Sequence, residues 1–505
     1  MIWGDTVAYW ARWQGDAVAI RFGDVDVTWG ELHLRATALA VGLADLGVGH
    51  GDRVGLLMSN RPEFIETVVA CAQLGAIVAP FNLRFTAPEL AFVVGDADCT
   101  VVVTEATLRP GLSLALAAAP HLALVDVDDE SFEAAHGEGS PPARAVQPTG
   151  PLFICYTSGT TGDPKGAVLT HQSWFYASMV RALQGGINRN DRILLPFPLA
   201  FTGGLALAMV AMWSGATLVL EPAFDPARAL HLIESQRITV FMAVPTLFLQ
   251  MSLHPNFAGT DLSSIRCASS GGATVPVPLL RTYLERGITM TQTYSLTEVS
   301  ASGITLPYDQ SLSRVGSCGV PAMHSQARIV DADGNEVPPG TVGEIAIKGP
   351  EVMVGYWRNP EATAATLRDG WCHTGDLGTM DADGYFYVVD RAKDMLISGG
   401  LNVYPAEIER QLAGLPGVVD LAVIGVPDDR WGETPAVVAV VADPASAPTG
   451  TDILERCVGV LADFKLPRYL VVRTEPLPRN MSNKVLKAEL RREYADLPGR
   501  QDPIR

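Results

Sequence analysis

The sequence predicts an α/β protein: a large N-terminal domain of helix-covered sheets that includes a β-rich subdomain, then a small α+β domain. Three observations lead there. The chain has 505 residues, whereas single hydrophobic cores stop growing at about 250–300 residues, so at least two domains are expected. Short apolar runs alternate with helical patterns as far as Val244, which is the signature of a sheet covered by helices. Beyond Val315 the runs shorten and are divided by turn dipeptides.

The first helix is marked at both ends. Thr28 with Glu31 three residues on reads as a capping box, and Leu32, Ala36, Leu39, Leu43 and Leu46 recur at helical spacing up to Gly47. Arg53–Met58 reads as a buried strand, Phe64–Leu74 as a helix and Ala76–Pro80 as the next strand. Thr100–Val103, Ala123–Val127, Thr217–Leu220 with a following helix, and Val240–Val244 continue the alternation, most economically as a parallel sheet. Gln326–Val330, Gly343–Lys348 and Gly384–Val389 read as short strands between Asp333-Gly334, Pro339-Gly340 and Asp383-Gly384 turns. After Arg391 a compact pattern follows: helical Ala406–Leu412, strands Val418–Val426 and Ala436–Val441, and helical Ile453–Leu461. Ala442–Thr449 is a loop inside this part, and the domain boundary is placed at Asp390-Arg391, giving domains 1–390 and 391–505. No internal repeat of fixed period is present.

Composition narrows the function classes. Thirty-seven Lys and Arg against fifty-five Asp and Glu leave a net charge of −18, which repels a polyanion, so nucleic acid is not an expected partner. An acidic protein that binds polyphosphate must do so locally, through backbone N–H groups, a few cations and a divalent metal. The seven cysteines are scattered and never form a C-x-x-C pair, as in reduced cytosolic proteins. No secretory pattern opens the chain, and no run reaches the about 18 apolar residues of a spanning helix. A cytoplasmic location is expected, with peripheral membrane contact left open.

The strongest local signal is Tyr156-Thr157-Ser158-Gly159-Thr160-Thr161-Gly162-Asp163-Pro164-Lys165-Gly166, placed after the apolar run Leu152–Cys155. Glycines let backbone approach a ligand, hydroxyls and successive N–H groups donate to phosphate oxygens, and Lys165 adds a point charge. Such a segment suits a triphosphate. It lacks the G-x-x-x-x-G-K-[ST] spacing of P-loop proteins. Ser, Thr and Gly alone would describe a surface loop; their order before Pro-Lys-Gly does not.

This segment resembles the most diagnostic motif of the adenylate-forming superfamily, which comprises acyl-CoA synthetases, adenylation domains of peptide synthetases and luciferases. The resemblance runs from about residue 20 to residue 490, with further motifs in the family's order. It implies that Thr157, Ser158, Gly159, Thr160, Thr161 and Lys165 contact ATP. Thr293-Tyr294-Ser295-Leu296-Thr297-Glu298 resembles an aromatic-Gly-x-Thr-Glu segment, implying Tyr294 on adenine with Thr293 beside it, Thr297 at the α-phosphate and Glu298 on Mg²⁺. An aromatic face suits a purine, and a carboxylate is the hard ligand Mg²⁺ takes beside phosphates. Ser295 stands where relatives have Gly. Ser270-Gly271-Gly272-Ala273 resembles the adenine-lining segment. Gly370-Trp371-Cys372-His373-Thr374-Gly375-Asp376 resembles the ribose-binding segment, with Asp376 as acceptor for both hydroxyls.

Asp390-Arg391-Ala392-Lys393-Asp394 resembles the family's hinge, with Asp390 as pivot, Arg391 as a ribose or phosphate contact, and the small domain mobile about it. Ser398-Gly399-Gly400-Leu401 resembles the opening of that domain, with Gly399 and Gly400 near coenzyme A; Leu401 replaces a common Glu. Pro478-Arg479-Asn480-Met481-Ser482-Asn483-Lys484 resembles the catalytic-lysine segment, which makes Lys484 that lysine, with Asn483 in place of Gly. The resemblance therefore implies an ATP- and Mg²⁺-dependent acid:CoA ligase that uses a carboxylic acid, ATP and coenzyme A.

Leu195–Gly204 resembles the acyl-pocket segment, with Phe201 where CoA-ligase relatives often carry His. No acid occurs between Leu194 and Ala216 to pair with a substrate ammonium, which disfavours an amino acid. Phe201, Gly203, Gly204, Met242, Val244 and Ala273 suggest an apolar pocket for a medium- or long-chain fatty acid or another hydrophobic acid. The alternatives are an aryl acid of the coumarate or ferulate type, transfer to a carrier protein, and a non-catalytic scaffold.

Overall fold

The protein is described in a computed structural model over residues 2–142, 145–157, 164–273, 275–391, 394–398, 400–428, 430–479 and 485–505. It divides into two compact units, residues 1–327 with 347–373 and residues 328–346 with 374–505.

The first unit contains two sheets, in line with the expected helix-covered sheets. Across the nine-stranded sheet the order is Val320–Pro321, Gly303–Thr305, Met290–Ser295, Cys267–Gly271, Val240–Ala243, Arg192–Leu195, Thr217–Leu220, Val18–Phe22, Val25–Thr28. Its six strands from Met290–Ser295 to Val18–Phe22 pair in parallel. The seven-stranded sheet runs Gly355–Tyr356, Lys165–Thr170, Pro151–Thr157, Ile77–Pro80, Arg53–Leu57, Cys99–Thr104, Ala123–Asp126. Strand periodicity cannot say which sheet a strand joins, because membership is set by contacts remote in sequence.

One core runs through both sheets and the helices Trp29–Asp45, Pro62–Leu74 and Thr202–Ser214. The first of these has the expected capping box, with Thr28 accepting from the Glu31 N–H and the Glu31 carboxylate accepting from the Thr28 N–H at 2.8 Å. Such a cap stabilises by about 1 kcal/mol. Leu32, Ala36, Leu39 and Leu43 are buried, whereas Leu46 lies beyond the last turn and is exposed. Thr202–Ser214 is buried from Gly204 through Met212, the state expected of a helix apolar on every face.

In the second unit Thr374–Met380 runs antiparallel to Phe386–Arg391. The three turn glycines Gly334, Gly340 and Gly384 all have positive φ. A further five-stranded sheet is ordered Leu401–Val403, Leu396–Ser398, Gly432–Val441, Val418–Asp428, with Tyr469–Arg473 parallel to Gly432–Val441. Helix Pro405–Leu412 packs on it. The second helix of this part is Gly450–Cys457, shorter than the expected Ile453–Leu461 at its C-terminal end. Val458 is already extended, at φ −65° and ψ 134°, which ends the helical path. Likewise the strand expected at Gly384–Val389 starts at Phe386, once the turn is complete, and extends to Arg391.

All seven cysteines are buried thiols. Among the described residues no helix is long and apolar enough to cross a membrane.

Candidate active site

Four motif segments leave the same edge of the nine-stranded sheet. Arg192–Leu195, Val240–Ala243, Cys267–Gly271 and Met290–Ser295 are mutually parallel neighbours, so their C-terminal ends lie side by side. They deliver in turn Phe197–Gly204, Val244, Gly272-Ala273 and Thr297-Glu298. The edge beyond parallel strand ends is where open α/β sheets bind ligands.

Local packing explains the residue types there. Gly272 has φ +80°, and a Cβ on it would lie 3.4 Å from Val244 Cγ1, so adenine-segment and acyl-segment residues adjoin. Gly204 is buried, and a Cβ on it would meet the Pro198 carbonyl oxygen at 2.2 Å, which lets the turn before the buried helix close. Phe201 is the residue before that helix and is half-buried, as are Gly203, Met242 and Val244. Gly272 and Ala273 are exposed, and Thr293 is half-buried. Tyr294 is buried, and its strand places Thr293 opposite Gly271.

Thr297, Glu298 and Val299 form one short 3₁₀ turn. It is gripped from several directions. The Glu298 carbonyl accepts from the Met353 N–H at 2.8 Å, and the Ser300 hydroxyl donates to the Glu351 carbonyl at 2.9 Å. Arg181 donates to the Ala301 carbonyl. Thr297 Oγ1 lies 3.2 Å from Thr202 Oγ1, tying the turn to the acyl segment. Ser300 and Ala301 both hold positive φ, at 52° and 53°, a conformation that costs non-glycine residues about 1–3 kcal/mol and persists where surroundings enforce it. The Glu298 carboxylate accepts a 2.7 Å hydrogen bond from the Tyr356 hydroxyl.

Lys165 begins the strand Lys165–Thr170, opposite Thr157 in an antiparallel hairpin with Pro151–Thr157. Thr157 Oγ1 donates to the Lys165 carbonyl at 3.3 Å, and Lys165 Nζ stands 5.8 Å from the centre of the Tyr356 ring. Tyr156, at the other side of the hairpin, donates to Asp96 at 2.6 Å; burial pushes its phenol pKa up and the Asp96 carboxylate adds to the shift. Ser158, Gly159, Thr160 and Thr161 lie outside the described residues, as do Gly399 and Lys484.

In the second unit, Asp376 and Arg391 face each other across an antiparallel ladder, with Arg391 Nε 3.3 Å from Asp376 Oδ1. Asp376 therefore sits on a strand and is mostly buried, unlike a solvated turn residue. Asp390 accepts from the N–H groups of Arg391 at 2.7 Å and Ala406 at 2.8 Å. Ala406 is in the first turn of Pro405–Leu412, so the carboxylate caps that helix from a neighbouring strand. Burial raises the Asp390 pKa, with Lys487 and the two N–H groups pulling the other way. Gly400 is exposed at φ +81°.

The sequence reading missed Tyr356 and Asn60, and it named Thr202 only as part of the acyl segment, without its tie to Thr297. Asn60 is buried, donates to the Phe197 carbonyl at 2.8 Å and accepts from the Leu199 N–H at 2.7 Å, holding the acyl segment in place. No local pattern distinguishes these residues, since each acts on a segment more than fifty positions away.

The AMP-binding enzyme pattern matches residues 7–357, and the AMP-binding enzyme C-terminal domain pattern matches residues 407–484. The chain belongs to the AMP-binding enzyme family. Within this adenylate-forming superfamily it is an acid:CoA ligase, AMP-forming. It is 41% identical over 485 residues to a feruloyl-CoA synthase of an Amycolatopsis species, covering 96% of this chain and 97% of that protein. It is 38% identical to the long-chain fatty acid CoA ligase FadD13 of Mycobacterium tuberculosis, over 94% of each chain. Among solved structures, the O-succinylbenzoate coenzyme A synthetase of Bacillus subtilis in complex with ATP and magnesium ion superposes with a TM-score of 0.86 at 31% identity, covering 96% of this chain and 99% of that one.

Proposed function

We propose that this ligase joins a hydrophobic carboxylic acid to coenzyme A, using ATP and Mg²⁺, with a medium- or long-chain fatty acid as the favoured class. The supporting observation is the acyl segment. Phe201 precedes and Gly203 and Gly204 open the buried apolar helix Thr202–Ser214, Met242 packs against the same core, and the whole stretch from Leu195 to Gly215 carries no charged side chain. A second carboxylate buried there without a partner would cost several kcal/mol. The aryl-acid reading has its own support in the 41% identity to a feruloyl-CoA synthase.

In the first half reaction a substrate carboxylate oxygen bonds to the α-phosphorus of ATP, and the bond to pyrophosphate breaks. In the second the thiol sulfur of coenzyme A bonds to the acyl carbon and AMP leaves. The protein needs no nucleophile of its own. Thr157, Ser158, Gly159, Thr160, Thr161 and Lys165 are assigned to the phosphates. Gly271, Gly272, Ala273, Thr293 and Tyr294 are assigned to adenine, and Asp376 and Arg391 to the ribose. Thr297 and Lys484 align the acyl oxygen with the α-phosphate, by positioning and charge. Glu298 is the carboxylate assigned to Mg²⁺, which usually takes one or two carboxylates plus substrate phosphates. Its setting fits, because the carboxylate stands on the short turn Thr297–Val299 and is oriented by a hydrogen bond from the neutral Tyr356 hydroxyl. Mg²⁺ would neutralise charge on the phosphates.

The small domain is assigned to residues 391–505, turning about Asp390 between the half reactions so that Lys484 withdraws and Gly399 and Gly400 meet coenzyme A. The acceptor is tested by AMP formation from octanoate and ATP with either coenzyme A or a holo carrier protein added. Coenzyme A is expected to sustain turnover; a response to carrier protein alone would reassign the acceptor.

A further inference from the structure

Tyr356 is absent from every motif that pointed to the site, yet its hydroxyl reaches the carboxylate assigned to the metal. We propose that Tyr356 is a positioning residue that aims the Glu298 carboxylate at Mg²⁺ and registers it against Lys165 of the phosphate-binding hairpin. The inference rests on the reading of Glu298 given above.

Tyr356 is on the short edge strand Gly355–Tyr356, paired antiparallel to Lys165–Thr170 with Tyr356 opposite Ala167. It therefore stands two residues along that strand from Lys165, and Lys165 Nζ lies 5.8 Å from its ring centre. The Tyr356 N–H donates to Thr363 Oγ1 at 2.8 Å, which fixes the backbone independently of the ring. From this anchored position the phenol donates to Glu298 Oε1 at 2.7 Å.

A neutral donor suits this task better than a cation would. It fixes one carboxylate oxygen without cancelling the charge that attracts the metal. A hydrogen bond of this kind to a metal ligand orders the ligand before binding, and its loss typically weakens metal affinity by about 10–100-fold. The ring face turned toward Lys165 adds a cation–π contact, so the same side chain sets the spacing between the phosphate cation and the metal carboxylate.

The test is Tyr356→Phe, which removes only the hydroxyl, alone and combined with Glu298→Gln. Two quantities are read: Mn²⁺ affinity in the presence of a non-hydrolysable ATP analogue, by electron paramagnetic resonance, and the Mg²⁺ dependence of ATP–pyrophosphate exchange. Tyr356→Phe is expected to weaken Mn²⁺ binding and raise the Mg²⁺ requirement about tenfold, leaving the KM for the acid unchanged. It should add nothing in the Glu298→Gln background. Thr363→Ala, which loosens the same strand while keeping the phenol, should bind Mn²⁺ like wild type. Unchanged metal affinity in Tyr356→Phe, a full extra loss in the double variant, or an equal loss in Thr363→Ala would each overturn the inference. If Glu298→Gln weakens metal binding and Tyr356→Phe does not, only Tyr356 is reassigned. If Glu298→Gln is silent too, the reading of Glu298 fails with it.

Discussion

Two regions of the molecule hold by different means the carboxylates to which roles are assigned above. At the edge of the nine-stranded sheet, Glu298 sits on a turn fixed by backbone hydrogen bonds and meets a neutral phenol. In the second unit, Asp376 meets the Arg391 guanidinium and Asp390 spends both oxygens on N–H groups. A hydrogen bond from a neutral hydroxyl orients a carboxylate without cancelling its charge. One paired with a cation is instead held ready for hydroxyls, and one capping a helix serves the backbone. The difference ties each carboxylate to the event assigned to it: metal capture, ribose binding or rotation.

The largest effect that would separate the two regions is expected from Lys484→Ala. If the C-terminal lysine serves only the first geometry, adenylation falls by about a hundredfold or more, while thioester formation from supplied acyl-adenylate stays near wild type. Single-turnover measurements of each half reaction check this, and equal losses in both would merge the roles kept apart here. A smaller effect is expected from Asp376→Ala. Losing charge-assisted hydrogen bonds to the ribose should raise the KM for ATP about tenfold, since such bonds contribute about 1.5–3 kcal/mol. The KM for the acid should not move; a parallel rise in both would make Asp376 a general structural residue.

The smallest effect sharpens the account of Asp390. Its folded pKa is raised above the ordinary 3.8, so between those two values the folded state binds more protons than the unfolded state. Stability from this group is therefore complete below the unfolded value and declines as pH rises through the folded one. Asp390→Asn removes that decline, at the cost of one acceptor. The melting temperature of wild type relative to the variant should fall as pH rises above 3.8, and a flat difference would show that Asp390 titrates normally.

Much of this arrangement was legible in the sequence, for reasons that can be named. The Thr28 and Glu31 box was readable because capping is local, and Thr217–Leu220 because a buried strand must be apolar throughout. The segments assigned to phosphate and adenine could be singled out because each is contiguous in sequence. Tyr356, Asn60 and the tie of Thr202 to Thr297 could not, since their partners are set by the folding of distant strands. Asp376 illustrates the boundary case: its motif was visible, but its place on a strand opposite Arg391 was not. Which of the two sheets each strand joins was not legible, because alternation gives strands without their order.

The central claim is that the acyl segment around Phe201 selects an acid without a second charge. The direct measurement is kcat/KM for malonate, hexanoate, octanoate and a cinnamic acid, read as CoA-dependent AMP formation in wild type and in Phe201→His. One unpaired buried charge costs several kcal/mol, and about 1.4 kcal/mol already means tenfold. Octanoate or the cinnamic acid should exceed malonate by at least about a hundredfold in the wild type. Malonate as the best substrate of the four would contradict the account.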